Sequence, residues 1–225
     1  MDLSAYKSIH SKLKENNVKL VAVSKTKPSS DIELLYNKGQ RIFGENKAQE
    51  MSSKAEELPE DIEWHMIGHL QRNKVKYIVP YVSLIHSVDS LRLLKEINKQ
   101  GKKVDRKIAI LLQMHIADEE SKFGLTKEKL QQILDADPLE NYPYVEIVGL
   151  MGMATFTEDK NKVRKEFQSL KRLFEELKAG YFAKQATFSE LSMGMSGDYE
   201  IAIEEGSTMV RIWSKKKKKR DYQNW

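Results

Sequence analysis

The chain has 225 residues, 40% of them hydrophobic and 32% charged, which is enough apolar material for a substantial core in one large α/β domain or two small ones. It contains no cysteine, which excludes a disulfide framework and thiolate metal ligation. No apolar run approaches the roughly 18 residues that span a bilayer, and the opening MDLSAYKSIH lacks the basic-then-apolar plan of a secretory signal. A cytoplasmic protein with no membrane partner is the expectation.

The formal net charge is +5, but six of the 38 basic residues lie in Lys215–Arg220, and the rest of the chain sets 32 basic against 33 acidic residues. The body is nearly neutral. Nucleic-acid binding therefore rests on the tail alone and is the lesser reading, because an isolated lysine run is more often a solvated end.

Along the chain, LSAYKSIHSKLKENN predicts a leading helix, and short β-branched runs then alternate with longer amphipathic stretches. Strands are predicted at Lys19–Lys25, Arg41–Asn46, Glu63–Gly68, Leu84–Asp89, Lys107–Ile116, Val145–Met153, Thr187–Gly194 and Thr208–Trp213. Helical segments between them include SDIELLYNKG, SLRLLKEINKQGKK and NKVRKEFQSLKRLFEELKAG. The last carries Val163, Phe167, Leu170, Phe174 and Leu177 at helical spacing. Eight strands alternating with helices predict a single (β/α)8 TIM barrel with an extra N-terminal helix, in one domain over 1–225; an open doubly wound sheet is the competitor.

In a barrel, chemistry gathers where strands end, here at Lys25, Asn46, Gly68, Asp89, Gly194 and Arg211. GMSG at Gly194–Gly197 is one residue short of a nucleophile elbow, and neither a Walker A nor a G-x-G-x-x-G loop is present. His65 and His69 are spaced like a helical metal pair but flank Gly68 at a strand end, so their side chains should diverge and no metal site is expected.

VAVSKTKP is more informative. It delivers Lys25 at the end of a buried strand, where a partly desolvated amine could attack a carbonyl; the plain alternative is a lysine opening a polar loop. Ser192, Gly194, Ser196 and Gly197 precede the short helix DYEIAIEEG, where hydroxyls and backbone N–H groups could cradle an anion, or where Ser196 or Asp198 simply caps the helix. A Schiff-base lysine and a phosphate cradle together would suit pyridoxal 5'-phosphate (PLP). Met151, Met153 and Phe156 read as packing, His65 as a hydrogen-bonded core histidine, and Asp89 as a loop cap.

Seven segments in order, LVAVSKTKP, FGENKAQE, EWHMIGHLQRNKV, HSVDS, SKFGL, LSMGMSGDYEIAIEEGSTMVRI and RDY, resemble the YggS/PROSC family of PLP homeostasis proteins over nearly the whole chain. The resemblance implies an alanine-racemase-like barrel with Lys25 as the PLP Schiff-base lysine. It also implies Asn46, His65 and Ile67 lining the pocket, Ser192, Met193 and Ser196 on the ring and phosphate side, and Arg211 at the pyridine nitrogen. An arginine there weakens PLP as an electron sink. In alanine racemases help comes from a second-domain tyrosine, for which no segment is seen here. The expectation is a monomeric PLP carrier or regulator with little or no turnover, serving PLP-dependent apoenzymes; a PLP-dependent racemase or lyase is the alternative.

The sequence departs from the family at its end. Where the family reads R-I-G-[ST]-A-I-F-G-x-R-D-Y, this chain reads RIWSKKKKKRDY. Trp213 replaces a glycine that lets backbone close on phosphate, and Lys215–Lys218 replace apolar positions, while Ser214 keeps its hydroxyl in the cradle. Weakened PLP binding through an impaired cradle is expected.

Overall fold

The computed structural model describes residues 3–117, 124–136 and 139–212. Trp213, Ser214, the lysine run, RDY and the first three residues of SKFGL therefore lie outside the described residues.

The strands are β1 Lys19–Val23, β2 Ile42–Glu45, β3 Glu63–Met66, β4 Leu84–Val88, β5 Ile108–Met114, β6 Val145–Gly152, β7 Glu190–Met195 and β8 Met209–Ile212. They pair in parallel in sequence order, and β8 returns to β1 to close the barrel. The open-sheet alternative is thereby removed: Lys19 pairs with Met209 and Ala22 with Ile212, leaving neither strand as an edge.

The period of two sorts side chains between two cores. Val21, Leu84, Leu111, Val148, Met151 and Met209 fill the barrel interior. Alternate residues such as Ala22, Phe43, Met66, Ile110 and Met193 pack outward against the helices. A parallel strand buried on both faces has no polar side to show, which is why these segments read as unbroken apolar runs.

The helices are α1 Leu3–Glu15, α2 Ser29–Tyr36, α3 Ala48–Glu57, α4 Val75–Ile78, α5 Leu91–Lys103, α6 Lys127–Ala136, α7 Lys160–Ala179 and α8 Tyr199–Glu204. In α7 the residues expected to face the core, Val163, Phe167, Leu170, Phe174 and Leu177, are all buried, together with Glu166. Asp159 caps this helix, its side chain accepting from the Asn161 and Lys162 N–H groups at 2.9 and 3.1 Å. The expected leading helix is α1. It packs Tyr6 and Leu13 inward, and Lys12 pairs with Glu200 of α8.

One packing expectation is corrected. Met151 is buried inside the barrel, but Phe156 is 97% exposed on the loop after β6. Past the end of the strand at Gly152, Met153 and Ala154 still pack against the core, and only Phe156 of MATF turns out to solvent.

Candidate functional site

At the C-terminal mouth, β1 ends at Val23 and the chain continues through Ser24 to Lys25, which is half-buried. Lys25 shares the parity of Val21 and Val23. The turn is tight: Lys27 N–H donates to Ser24 O at 3.0 Å, and Thr26 sits at φ 60°. That is the left-handed region, which a β-branched residue rarely occupies.

Asn46 and Ile67 are half-buried beside this turn, at the ends of β2 and β3. Gly68 lets the two loops meet, since a Cβ there would stand 2.5 Å from Asn46 O. His65 and His69 do diverge: His65 is 3% exposed inside the barrel, whereas the His69 ring lies outside, 3.6 Å from the Asp89 carboxylate. Asp89 thus faces a histidine, and the cap of α5 is Ser90, whose side chain accepts from Leu93 N–H.

Inside the barrel a polar chain crosses the apolar packing. His65 Nδ1 lies 3.0 Å from His86 Nε2, and His86 Nδ1 lies 3.0 Å from Ser192 Oγ. Arg211 donates to Ser192 Oγ at 2.6 Å, to Ser192 O at 2.9 Å and to Gly152 O at 3.1 Å. The chain ties β3, β4, β7 and β8 together. Burial lowers the pKa of His65 to about 3 and that of His86 well below its ordinary value, so both imidazoles are neutral near pH 7. Burial also lowers Arg211, to about 10, against an opposing pull from the Asp198 carboxylate; its guanidinium stays charged.

Opposite parity separates Ser192 from Met193. Both are fully buried, but the Met193 side chain packs among the helices, so it does not line the interior as Ser192 does. After Met193 the register between β7 and β8 shifts, and Gly194 adopts φ 97° with α8 so close that a Cβ would stand 2.6 Å from Ala202 Cβ. The chain then turns through the exposed Ser196 and Gly197 into α8. Asp198 occupies the N-cap position without a side-chain cap bond; its carboxylate instead accepts from Met195 N–H at 2.5 Å and holds the turn.

Of the residues singled out in the sequence, Lys25, Asn46, Ile67 and Ser196 gather at the mouth, while His65, Ser192 and Arg211 lie inside the barrel below it. Sequence reasoning missed His86, whose HSVDS segment was noted without the histidine, and it missed the buried charges Glu45 and Lys54. Charged residues three or four apart in KAQEMSSKAEE, at Lys47, Glu50, Lys54 and Glu57, read as a solvated helix face. Only the burial of Lys54 marks it as different.

Residues 4–212 match the family model of the alanine racemase N-terminal domain. A pyridoxal phosphate homeostasis protein of Aquifex aeolicus is 42% identical over 199 residues, covering 88% of this chain and 85% of that protein. Its human counterpart is 40% identical over 216 residues, covering 91% and 77%. The structure of PipY from Synechococcus elongatus without PLP is similar at a TM-score of 0.84 and 34% identity, covering 92% of this chain and 95% of that one. PipY with PLP bound is similar at a TM-score of 0.79, covering 88% and 91%. With an ordered set of motifs, a closed parallel barrel and relatives matched along most of their length, the chain belongs to the YggS/PROSC family of pyridoxal phosphate homeostasis proteins, on the alanine racemase N-terminal-domain barrel.

Proposed function

We propose that this chain binds PLP at the mouth of its barrel, with the Lys25 amine as covalent anchor, and that it holds the cofactor rather than turning substrates over. The observation that carries the reading is Arg211, a charged guanidinium buried in the barrel on the strand next to the one that presents Lys25.

The donor set suits each part of the cofactor. The Lys25 amine matches the aldehyde, and Arg211, which can only donate, matches an unprotonated ring nitrogen. The Ser196 hydroxyl and the turn at Gly197 match the phosphate, and there is room for it: a Cβ built on Gly197 meets nothing within 4 Å. Asn46, Ile67 and the buried Ser192 complete the lining. Met193 would contribute through its backbone, and Ser214 belongs to the cradle only by the family resemblance. The binding of PLP by PipY, 34% identical, supports the assignment.

When bound, PLP supplies an electron sink that is strongest with its ring nitrogen protonated. Arg211 opposes that protonation. His65 and His86, held neutral by burial, orient Ser192 and Arg211 without offering a proton near pH 7. These residues favour a carrier over a racemase or lyase.

Spectral titration with PLP tests the reading. The wild type should develop visible absorbance, and borohydride should fix a pyridoxyl group on Lys25; Lys25→Ala should show neither. No absorbance at saturating PLP, or a label on another lysine, would overturn it. A panel of amino acids should show no Lys25-dependent turnover.

Monomeric state, a cytoplasmic setting, the single-domain extent 1–225 and delivery to PLP-dependent apoenzymes complete the proposal. The monomeric state and the delivery rest on the family resemblance, the cytoplasmic setting on composition and the single domain on the alternation of strands and helices. Sedimentation and transfer of PLP to an apoenzyme check the parts that concern assembly and delivery. Among the described residues no helix is long and apolar enough to cross a membrane.

A further inference from the structure

A second polar cluster lies outside the barrel wall, directly behind the Lys25 turn. Glu45 is the last residue of β2, and its outward parity sends a carboxylate away from the barrel interior into a site with 0% exposure. Lys54 of α3 is 6% exposed and meets it at 2.7 Å. Glu50, one turn earlier on α3, accepts from the same ammonium at 2.8 Å. Among the described residues, Glu45 Oε2 is the one buried side-chain polar atom without a hydrogen-bond partner.

Such a cluster is costly for a fold. Desolvating two carboxylates and an ammonium costs several kcal/mol per ion before any attraction is counted, and an apolar trio would pack the wall as well. Its bonds show what it holds. Lys54 Nζ donates to Ser24 O at 2.9 Å, the Ser24 hydroxyl donates to Glu45 Oε1 at 2.6 Å, and Thr26 N–H donates to Glu50 Oε1 at 2.6 Å. Ser24 and Thr26 are the two neighbours of Lys25. The peptide groups on both sides of that lysine are therefore pinned to the cluster. Thr26 is also the residue at φ 60°, a conformation that persists at a cost of about 1–3 kcal/mol only where its surroundings over-determine it.

We propose that Lys54, with Glu45 and Glu50, is a positioning device that clamps the backbone on both sides of Lys25, imposes the left-handed Thr26 turn and so aims the Lys25 amine into the barrel mouth. The role rests on the reading of Lys25 as the PLP anchor, but the clamp itself can be measured without PLP. These residues touch no cofactor; they act through the turn.

The experiment has two arms. In the first, amide hydrogen exchange of the apo protein should show Thr26 N–H protected in the wild type. It should be exchange-labile in Glu50→Ala, which leaves the Glu45–Lys54 pair intact, and in Lys54→Met. Rapid exchange at Thr26 in the wild type overturns the clamp. In the second arm, PLP titration should give a Kd about tenfold or more higher in Glu50→Ala and Lys54→Met, with an altered pH dependence of the visible absorbance. The double variant Lys54→Met/Glu45→Gln removes the uncompensated buried carboxylate, so it should regain apo stability without regaining affinity. Wild-type affinity and pH profile in Glu50→Ala or in the folded double variant overturn the positioning role. If the wild type takes up no PLP, the proposed function fails with the positioning role, whereas Thr26 protection still reports on the clamp.

Discussion

His65 and His86 sit where a barrel interior would otherwise be apolar, and their cost is pH-dependent. An unfolded histidine takes a proton near pH 6.5, whereas buried His65 resists until about pH 3. Below pH 6.5 the unfolded chain therefore binds more protons than the folded one, and stability falls as the pH drops through that window. At about pH 5 the loss from His65 alone is about 2 kcal/mol, and His86 adds to it in the same direction. Urea unfolding of His65→Asn, which keeps an acceptor near the Nδ1 position, should show about 2 kcal/mol less loss between pH 7 and pH 5 than the wild type. Equal losses would show that His65 titrates normally. Glu45 works oppositely. Burial raises its pKa, so the folded state holds the proton longer, and stability declines as pH rises through that range. Glu45→Gln should therefore gain on the wild type from acid toward neutral pH.

At the scale of elements, the join between β7 and α8 makes a strong local demand on the sequence. Gly194 combines φ 97° with a 2.6 Å approach to Ala202, so a side chain there meets both backbone strain and a collision. Gly194→Ala should cost about 1–3 kcal/mol in urea unfolding of the apo protein. It should also weaken PLP binding, because the Ser196–Gly197 turn follows directly. An unchanged unfolding midpoint would mean that α8 can retreat. The opposite side of the mouth depends on α3 in a different way. Its core contact is made by Ala48 and Met51, while Lys54 lies on the same buried side and reaches the Ser24–Thr26 turn. One helix thus packs the wall and supports the turn.

For the molecule as a whole, closure of the barrel brings residues from distant parts of the chain to one place. Arg211 lies on the strand beside the one that leads to Lys25 because Val21 pairs with Arg211 when β8 returns to β1. The tail beyond Ile212 carries the departure from the family and lies outside the described residues. If Trp213 crowds the cradle, Trp213→Gly should bind PLP more tightly than the wild type in the same titration, and an unchanged Kd would remove that idea. Nucleic-acid binding through Lys215–Arg220 should fall steeply with salt and vanish on truncation after Ser214; binding that survives truncation would place it elsewhere.

Much of this was legible in the sequence because it depends on local periodicity. Alternating apolar runs and amphipathic helices specify βα units, α7 carries its buried stripe in its spacing, and Lys25 can be placed at a strand end from VAVSKTKP alone. The sequence by itself determined the βα repeat, the family and the lysine proposed as anchor, while closure of the sheet settled the barrel. The tertiary structure decided the rest. Burial of a charged side chain depends on what packs over it, so Lys54 and Glu45 cannot be told from solvated residues until α3 lies on β2. Strand parity decided that Ser192 enters the interior while Met193 leaves it. Only closure placed His86 between His65 and Ser192, because hydrogen bonds between residues as far apart as 106 positions are set by the register of strands and not by any pattern along the chain.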